Sequence, residues 1–356
     1  MKKILCIIIA ALMVLTACSK KEEVKPVEEA KAPVETSQPK EEEKVEEEVV
    51  PEVITSKYSG REIREDQVGQ RPFMVMIDNH QGARPQANIS KASIVWEMRV
   101  EGEFTRYLAL FERNEKGNDF LVGPIRSARP NFVTIANQYG GIYGHHGGST
   151  DGEKLIKTLG VNNLSGMTLE GRLFFRYKDT GKRAPHNSYL NLDKAFKYAK
   201  DLGWSMKDKG EGFTFNKEFT DLAEGKSAKD FYINYRGKLN NIAFKYDEKS
   251  KAYERYREGK LQVDELTSTP VMPVNVIIQY ADSYAYDNKG HMAFKSTGTG
   301  KGYYVTGGKY IEIKWDKKDD HTTPTKFMTM DGKELVLNPG LTWIQVIDSK
   351  MDPNFK

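Results

Sequence analysis

The amino-terminal segment limits which part of this chain can build a core. Two lysines, Lys2 and Lys3, precede an apolar run of eleven residues, 4–14, and Cys18 follows shortly after it. A helix that spans a bilayer needs about 20 apolar residues. The run is therefore too short for a stable membrane helix, and it is typical of the central region of a signal peptide. Small residues before a cysteine form a lipoprotein processing pattern, so we expect removal of residues 1–17 and lipidation of Cys18. The alternative is an ordinary signal peptide that happens to contain a cysteine.

Cysteine usage limits the chemistry of the exported part. The only other cysteine is Cys6, which lies in the segment predicted to be removed. The mature chain then has no thiol besides the lipidated one, which excludes a disulfide, a cysteine-ligated metal and a cysteine nucleophile. No later apolar run is long enough to span a membrane. We therefore expect the protein on the extracytoplasmic face of the cell membrane, held there by the lipid on Cys18.

Residues 19–57 are a low-complexity stretch of Lys, Glu, Val and Pro without an aromatic residue. Such a stretch cannot bury enough apolar area to offset the entropy cost of ordering it, so we expect residues 18–57 to be a disordered tether. The whole chain carries +4, and the stretch with its 7 Lys and 12 Glu carries −5. Since the signal segment carries +2, residues 58–356 carry +7. A basic outward-facing domain favours anionic partners. The alternative is that this charge only aids solubility.

The remaining residues predict an α+β fold in two parts. Residues 58–240 mix strand-like runs (72–77, 93–100, 105–111 and 141–144) with helical patterns (130–139, 151–159 and 192–202). Residues 241–356 are mostly strand-like, at 241–246, 253–257, 274–280, 302–306, 310–315 and 342–347, with a hairpin at Gly307 and Gly308. We interpret residues 298–302, which are rich in glycine, as a β turn.

Polar residues of different types follow the first predicted strand. Asp78 and His80 come directly after the apolar run 72–77, and Arg84 lies a few residues later. The carboxylate and imidazole could act as a base and its orienting partner or as two metal ligands. Alternatively, Asp78 stabilises a turn through its side chain.

A second candidate is a carboxylate inside an apolar strand. Glu97 lies in the run 94–98, and a charge in such a run needs a partner or a role. Glu101 and Arg106 follow it. The alternative to a functional role is an internal ion pair between Glu97 and an arginine.

The best candidate for an anion site precedes the predicted helix 130–139. Arg126, Ser127 and Arg129 follow a Gly-Pro turn. Helix amino termini present free N–H groups to anions, and arginine adds bidentate contacts to phosphate or carboxylate. Alternatively, Ser127 only caps the helix and the arginines are solvated.

Two further loops contain histidines. Of His145 and His146, which are neighbours at the end of a short strand, only one is expected to face a site, and we favour His146. Convergence of these loops would bring together the candidate catalytic groups Asp78, His80, Glu97, His146 and His186. The candidate ligand-binding groups are Arg84, Arg106, Arg126, Ser127, Arg129, Ser149, Arg183 and Asn187.

Standard cofactor and catalytic signatures are absent from the sequence. There is no Walker A motif, no glycine-rich dinucleotide fingerprint, no Gly-x-Ser-x-Gly elbow and no zinc motif. No cofactor is therefore indicated, no metal site is predicted, and nucleic acid is not an expected partner.

Several motifs together resemble the YerB-like family of bacterial lipoproteins, found mainly in Gram-positive species. The matching stretches lie at 71–80, 83–86, 101–106, 123–130, 146–149 and 184–187, and in the second half at 274–277, 300–304 and 340–343. The resemblance implies a lipoprotein with a mixed amino-terminal part and a β-rich carboxyl-terminal part. It implies no particular activity.

Three functions are compatible with these features. The first is a binding module whose arginine-rich loops hold an anionic wall polymer, precursor or small solute. The second is an envelope hydrolase or transferase that uses the Asp, His and Glu groups or a metal. The third is a scaffold for other envelope proteins.

The lipidation hypothesis has a direct test. We expect Cys18→Ala to release the protein from the membrane fraction or to leave it unprocessed, because the thiol that accepts the lipid is gone. Fractionation and labelling with a fatty acid would measure this. A lipid-labelled product from the variant, indistinguishable from wild type, would contradict the assignment.

Overall fold

The computed structural model describes residues 53–112, 120–235 and 241–356. The predicted signal segment, Cys18 and most of the predicted tether lie outside the described residues. The last tether residues are an exception, because Ser56 is buried and its hydroxyl donates to the Glu112 carboxylate at 2.7 Å. Ser56 at the end of the predicted tether is thus packed against the fold, and the bounds of the tether stay a prediction. Among the described residues, none of the helices is both long and apolar enough to cross a membrane.

The α-helices of the described chain are α1 (Pro130–Gln138), α2 (Thr150–Leu159), α3 (Gly166–Leu169) and α4 (Leu192–Asp201). The strands of the first half are β1 (Phe73–Ile77), β2 (Ile94–Glu101), β3 (Phe104–Phe111), β4 (Leu121–Val122), β5 (Ile142–His145), β6 (Asn163–Ser165), β7 (Phe174–Arg176), β8 (Ser188–Asn191), β9 (Thr214–Phe215), β10 (Lys226–Ser227) and β11 (Asp230–Asn234). Those of the second half are β12 (Asn241–Asp247), β13 (Ala252–Arg257), β14 (Lys260–Leu261), β15 (Asn275–Tyr280), β16 (Ser283–Ala285), β17 (Met292–Phe294), β18 (Gly298–Thr306), β19 (Lys309–Lys317), β20 (Lys326–Thr329), β21 (Val336–Leu337), β22 (Thr342–Ile347) and β23 (Asn354–Phe355).

One large mixed sheet organises the fold. Its strand order is β10-β19-β18-β15-β22-β2-β3-β1-β5-β6, with β20 paired to β19. Strand β22 runs parallel to both β15 and β2, and β5 runs parallel to both β1 and β6. Strands from both sides of residue 240 therefore share one sheet. The division of the chain at residue 240 stays a prediction.

Both faces of the central sheet are covered, which explains why its strands are continuous apolar runs. In β1, Met74 and Met76 belong to the core on the face covered by α1. Phe73, Val75 and Ile77 belong to the core on the other face, where α4 packs. Four smaller sheets complete the described part of the fold, with orders β14-β13-β12-β11-β23, β4-β8-β7, β16-β17 and β21-β9.

The helices begin and end at residues with local reasons to do so. Pro130 occupies the first turn of α1, where no amide hydrogen is needed. The Ser149 hydroxyl accepts from the Gly152 amide at the start of α2, and Gly160 ends that helix with a φ of 64°. These are the signals from which the helices can be predicted.

The α+β class predicted from the sequence is confirmed. The predicted helices correspond to α1, α2 and α4, and the predicted strand runs correspond to strands of the structure. The interpretation of residues 298–302 as a turn was wrong, since this stretch begins β18. Gly300 fits there because a side chain would collide with the Trp315 indole ring, 2.4 Å from the position of a Cβ.

A buried ion cluster joins the central sheet to the sheet that contains β13. Glu97 is fully buried, and its carboxylate accepts from Arg255 at 2.5 Å and from Arg257 at 2.9 Å. Trp343 and Gln345 of β22 also donate to it, at 3.2 and 3.0 Å. Burial raises the pKa of Glu97, but the two arginines and the hydrogen bonds outweigh it and hold the pKa below its ordinary value. The catalytic candidate Glu97 is thus a structural ion-pair residue without access to solvent, and the ion-pair alternative describes it.

Breaking this cluster tests its importance. Glu97→Gln leaves two buried arginines without their counter-charge, so we expect the free energy of unfolding to fall by about 3–5 kcal/mol. The matched control is Glu312→Gln on the exposed side of β19, which should change stability by about 0.5 kcal/mol or less. Denaturant unfolding of both variants measures the difference, and a loss below about 1 kcal/mol for Glu97→Gln would contradict the assignment.

Candidate functional site

Four chain segments meet at the carboxyl end of β1. Ile77 pairs with Ile125, so the segment that carries Arg126 lies beside the strand exit. The His146 amide donates to the Arg126 carbonyl at 3.1 Å, and the Ile125 amide donates to the Ser188 carbonyl at 2.6 Å. Backbone hydrogen bonds therefore fix the relative positions of the loops that follow β1 and β5 and precede α1 and β8.

A carboxylate and an imidazole form a dyad where these segments meet. His186 Nδ1 lies 2.7 Å from Asp78 Oδ2, and Asp78 Oδ1 accepts from the His80 amide at 3.0 Å. Burial raises the pKa of Asp78, but the hydrogen bonds from His186 and His80 and the charge of Arg126 outweigh it and lower the pKa. The ionised carboxylate can only accept, so His186 Nδ1 donates and Nε2 is the ring nitrogen available for other chemistry.

His80 stacks on the dyad. Its ring lies 4.1 Å from that of His186, and the two planes are inclined by only 9°. Burial and the neighbouring His186 lower the pKa of His80, which keeps this ring neutral at neutral pH. Since Nδ1 of His80 accepts from the Gly82 amide at 3.1 Å, Nε2 carries the proton and is a hydrogen-bond donor.

Arg126 supplies a cation beside the dyad. Its Nε lies 3.5 Å from Asp78 Oδ2, and 27% of its side chain is exposed. Within the part of the chain that the structure describes, its terminal guanidinium nitrogens form no hydrogen bond. Two donors of this side chain are therefore open to a ligand.

His146 extends the polar surface towards β7. Its Nδ1 lies 2.8 Å from the Ser188 hydroxyl, and its Nε2 lies 3.1 Å from an Arg176 terminal nitrogen. Because a guanidinium can only donate, Nε2 accepts and this ring is neutral. Burial and the charge of Arg176 lower the pKa of His146 accordingly. Arg176 is itself paired with Glu170 at 3.0 Å.

We call Asp78, His80, Arg126, His146 and His186 the strand-exit site. It combines one ionised carboxylate, one open guanidinium and three imidazoles, and so it offers both donors and acceptors to a small polar ligand. Among the residues described, no group of three or more His, Cys, Asp or Glu side chains is arranged to hold a metal ion.

Comparisons with known proteins identify the family. "Protein of unknown function (DUF3048) N-terminal domain" matches residues 58–205, and the corresponding C-terminal domain matches residues 231–344. The protein named "Putative lipoprotein YerB" of Bacillus subtilis is 34% identical over 283 residues, which cover 78% of this chain and 81% of the relative. The chain belongs to the YerB-like family. The crystal structure of YerB from the same organism matches with a TM-score of 0.75 and 30% identity, covering 85% of this chain and 99% of the other.

Two of the arginines expected to bind a ligand in this YerB-like chain are paired with a carboxylate of the protein. Arg129 and Arg106 both pair with the carboxylate of Glu101, the latter at 3.1 Å, and both are largely buried. Arg106 also donates to the Ser127 carbonyl at 3.0 Å. Glu101 engages donors of both arginines inside the protein, and the role of Arg106 and Arg129 in ligand binding stays a prediction.

The two candidate serines serve local structure. Ser149 caps α2 and is buried. Ser127 does not cap α1, because Arg129 occupies the cap position, and its hydroxyl donates to the His146 carbonyl at 3.2 Å. Of the adjacent histidines, His145 is buried and contacts Gly147, while His146 reaches the strand-exit site.

The remaining candidate residues lie in the loops around the strand-exit site. Arg84 donates to the Asn79 carbonyl at 2.8 Å and pairs with Glu258 at 3.0 Å, which fixes the turn after β1. Asn187 is buried beside Arg176, and Arg183 is exposed in the loop before His186. Their roles in binding stay predictions.

Three residues were not singled out from the sequence, two beside the strand-exit site and one in the ion cluster around Glu97. Arg176 and Glu170 lie between the histidine-containing loops, in a stretch that matches no recognised motif. The sequence contains one signal that could have indicated Arg255, the principal partner of Glu97. Arg255 shares with Arg257 a spacing of two residues within a strand, which places both cations on the same face.

The lowered pKa values of His80 and His146 predict how stability depends on pH. In the unfolded chain both rings titrate near pH 6.5, so below about that pH the unfolded state binds more protons than the folded state. The free energy of unfolding should therefore fall between about pH 7.5 and about pH 5.5. His80→Asn and His146→Asn should each flatten this dependence.

Denaturant unfolding at several pH values provides the measurement. His321→Asn is the control, because His321 is exposed and lies outside the strand-exit site. An unchanged pH dependence in both His80→Asn and His146→Asn would show that these rings do not resist protonation in the folded state.

Proposed function

We propose that this protein is a lipid-anchored envelope protein, on the extracytoplasmic face of the membrane, whose strand-exit site binds an anionic ligand. The observation that carries the proposal is the state of Arg126. Its side chain is partly exposed and approaches Asp78 only through Nε. Its two terminal nitrogens are left for a ligand, in the geometry that suits a phosphate or a carboxylate.

The neighbouring imidazoles support an anion at this position. Neutral His80 presents an Nε2 proton, and a neutral ring adds a donor without the cost of burying a further charge. Both oxygens of the Asp78 carboxylate are already engaged, by His186 Nδ1 and by the His80 amide. A ligand that contacts Arg126 and His80 therefore meets donors.

The charge of the whole folded part favours the same ligand class. Residues 58–356 carry +7, and a positive surface raises the local concentration of anions and their rate of association. Wall polymers and precursors with phosphate groups, and small phosphorylated or carboxylated solutes, fit this description. Because the lipid on Cys18 would hold the protein at the membrane, the ligand would be bound close to the membrane surface.

Substitution of Arg126 tests this binding. Glycerol 3-phosphate serves as the anionic probe and glycerol as its uncharged counterpart, titrated into the full mature chain in a neutral detergent. We expect Arg126→Ala to weaken binding of the phosphate by about ten- to a hundredfold, because one charge-assisted contact is lost. Arg126→Lys should retain part of the affinity, because it keeps the charge but not the bidentate geometry.

Arg172→Ala is the matched control. Arg172 is an exposed arginine that stacks on the ring of Tyr198 outside the site. Its loss should leave the affinity unchanged. Equal affinities in wild type and Arg126→Ala, or equal binding of glycerol and glycerol 3-phosphate, would contradict the proposal.

A second function is favoured by the dyad itself. An aspartate at 2.7 Å from Nδ1 orients His186 and leaves its Nε2 free to accept a proton, as required of a general base. On this hypothesis the site hydrolyses or transfers an ester of the bound anion, with Arg126 stabilising developing negative charge.

Turnover of p-nitrophenyl phosphate and p-nitrophenyl acetate distinguishes the two functions. An enzyme should lose turnover in His186→Gln while still binding glycerol 3-phosphate, because the general base is removed and Arg126 stays in place. Absence of turnover in wild type, with intact phosphate binding, would leave binding as the function of the site.

A further inference from the structure

A cavity lies on the face of the central sheet that is covered by α1. It has a volume of about 170 Å³, and its floor is formed by side chains of β2, β15 and β22, with α1 along one side. A cavity of about 150 Å³ is large enough to hold a benzene ring. This one therefore has room for a single six-membered ring. We call it the indole cavity, after Trp96 in its floor.

Four aromatic side chains line the indole cavity. The rings of Trp96 and Tyr139 meet edge to face, with centroids 4.9 Å apart, and Phe294 and Phe327 contribute two further rings. Aromatic rings offer flat apolar faces on which a small ring can stack.

Buried polar side chains also line this space. Gln138, Gln279 and Trp96 are more than nine-tenths buried, with exposed fractions of 7%, 4% and 5%. The Gln138 amide nitrogen has no hydrogen-bond partner. Within residues 53–112, 120–235 and 241–356, no hydrogen bond is formed by the side chain of Gln279 or the indole nitrogen of Trp96. Leaving buried polar groups unpaired is costly, and binding sites are where such groups persist.

The charge at the rim favours an uncharged ligand. The Lys317 ammonium is buried and donates to the carbonyl oxygens of Lys318 and Asp320. The carboxylates of Asp319 and Asp320 lie at the same rim. The one buried cation of the wall is therefore already coordinated, and an anion would meet two carboxylates.

We propose that the indole cavity is a second ligand site and that it takes a single sugar ring, as a free monosaccharide or as a unit of a glycan. A sugar hydroxyl both donates and accepts, and so do the amides of Gln138 and Gln279. The C–H face of a sugar ring stacks on aromatic rings, which Trp96 and Tyr139 provide. This inference is independent of the strand-exit site, because the residues of the two sites do not overlap.

Calorimetric titration of the full mature chain in a neutral detergent tests the proposal. The probes are glucose and N-acetylglucosamine as sugar rings, phenol as an apolar ring and benzoate as an anionic ring. We expect saturable binding of at least one sugar and weaker binding of phenol and benzoate. Gln138→Leu and Gln279→Leu should each weaken sugar binding by about five- to tenfold, because each removes hydrogen bonds to the hydroxyls.

Stability and control variants make the test decisive. Gln138→Leu removes an unpaired buried amide, so its melting temperature should equal or exceed that of wild type. A drop of several degrees would mean that the amide stabilises the fold and would overturn the proposal. Gln70→Leu, outside the cavity wall, and Arg126→Ala should both leave sugar binding unchanged. Preferential binding of phenol or benzoate, or no binding of either sugar, would also overturn it.

Discussion

The buried carboxylate of Glu97 is the constraint on which the rest of the structure depends. A lone charge in a protein interior costs several kcal/mol, so this residue can be accommodated only where donors surround it. Arg255 and Arg257 come from a different sheet, and Trp343 and Gln345 come from the strand next to its own. The cluster requires all three elements to be in place at once. It thereby links the segments matched by the two DUF3048 domains into one cooperative core.

The same cluster reaches the strand-exit site through Asn79. The Asn79 amide donates to the Thr105 hydroxyl at 2.7 Å and to Glu97 at 3.4 Å, and its oxygen accepts from the Tyr107 hydroxyl at 2.7 Å. Asn79 is therefore fixed on the interior side of the turn after β1, while its neighbour Asp78 engages His186. Rigid support of this kind is what a preorganised binding or catalytic site needs, because side chains held in advance lose little entropy when a ligand arrives.

The sequence was most informative where local chemistry decides the outcome. Apolar runs, the serine cap of α2 and the glycine that ends it predicted the elements and the α+β class, and the motifs predicted the YerB-like family. Partners separated by long stretches of chain could not be predicted. Nothing near Arg129 indicates that Glu101 will engage it, and nothing near Glu97 indicates Arg255, 158 residues away. The site was therefore predicted as a set of loops, while the roles of individual arginines depended on three-dimensional contacts.

The position of β22 has a consequence for how this protein is made. This strand begins at Thr342 and lies between β15 and β2, parallel to both. Until it is inserted, the central sheet consists of two halves, each with an open edge that can pair with any other extended chain. A polypeptide that emerges amino end first exposes these edges until residues 342–347 have arrived. Protection of these edges against wrong strand pairing thus matters most in the interval before β22 takes its place in the sheet.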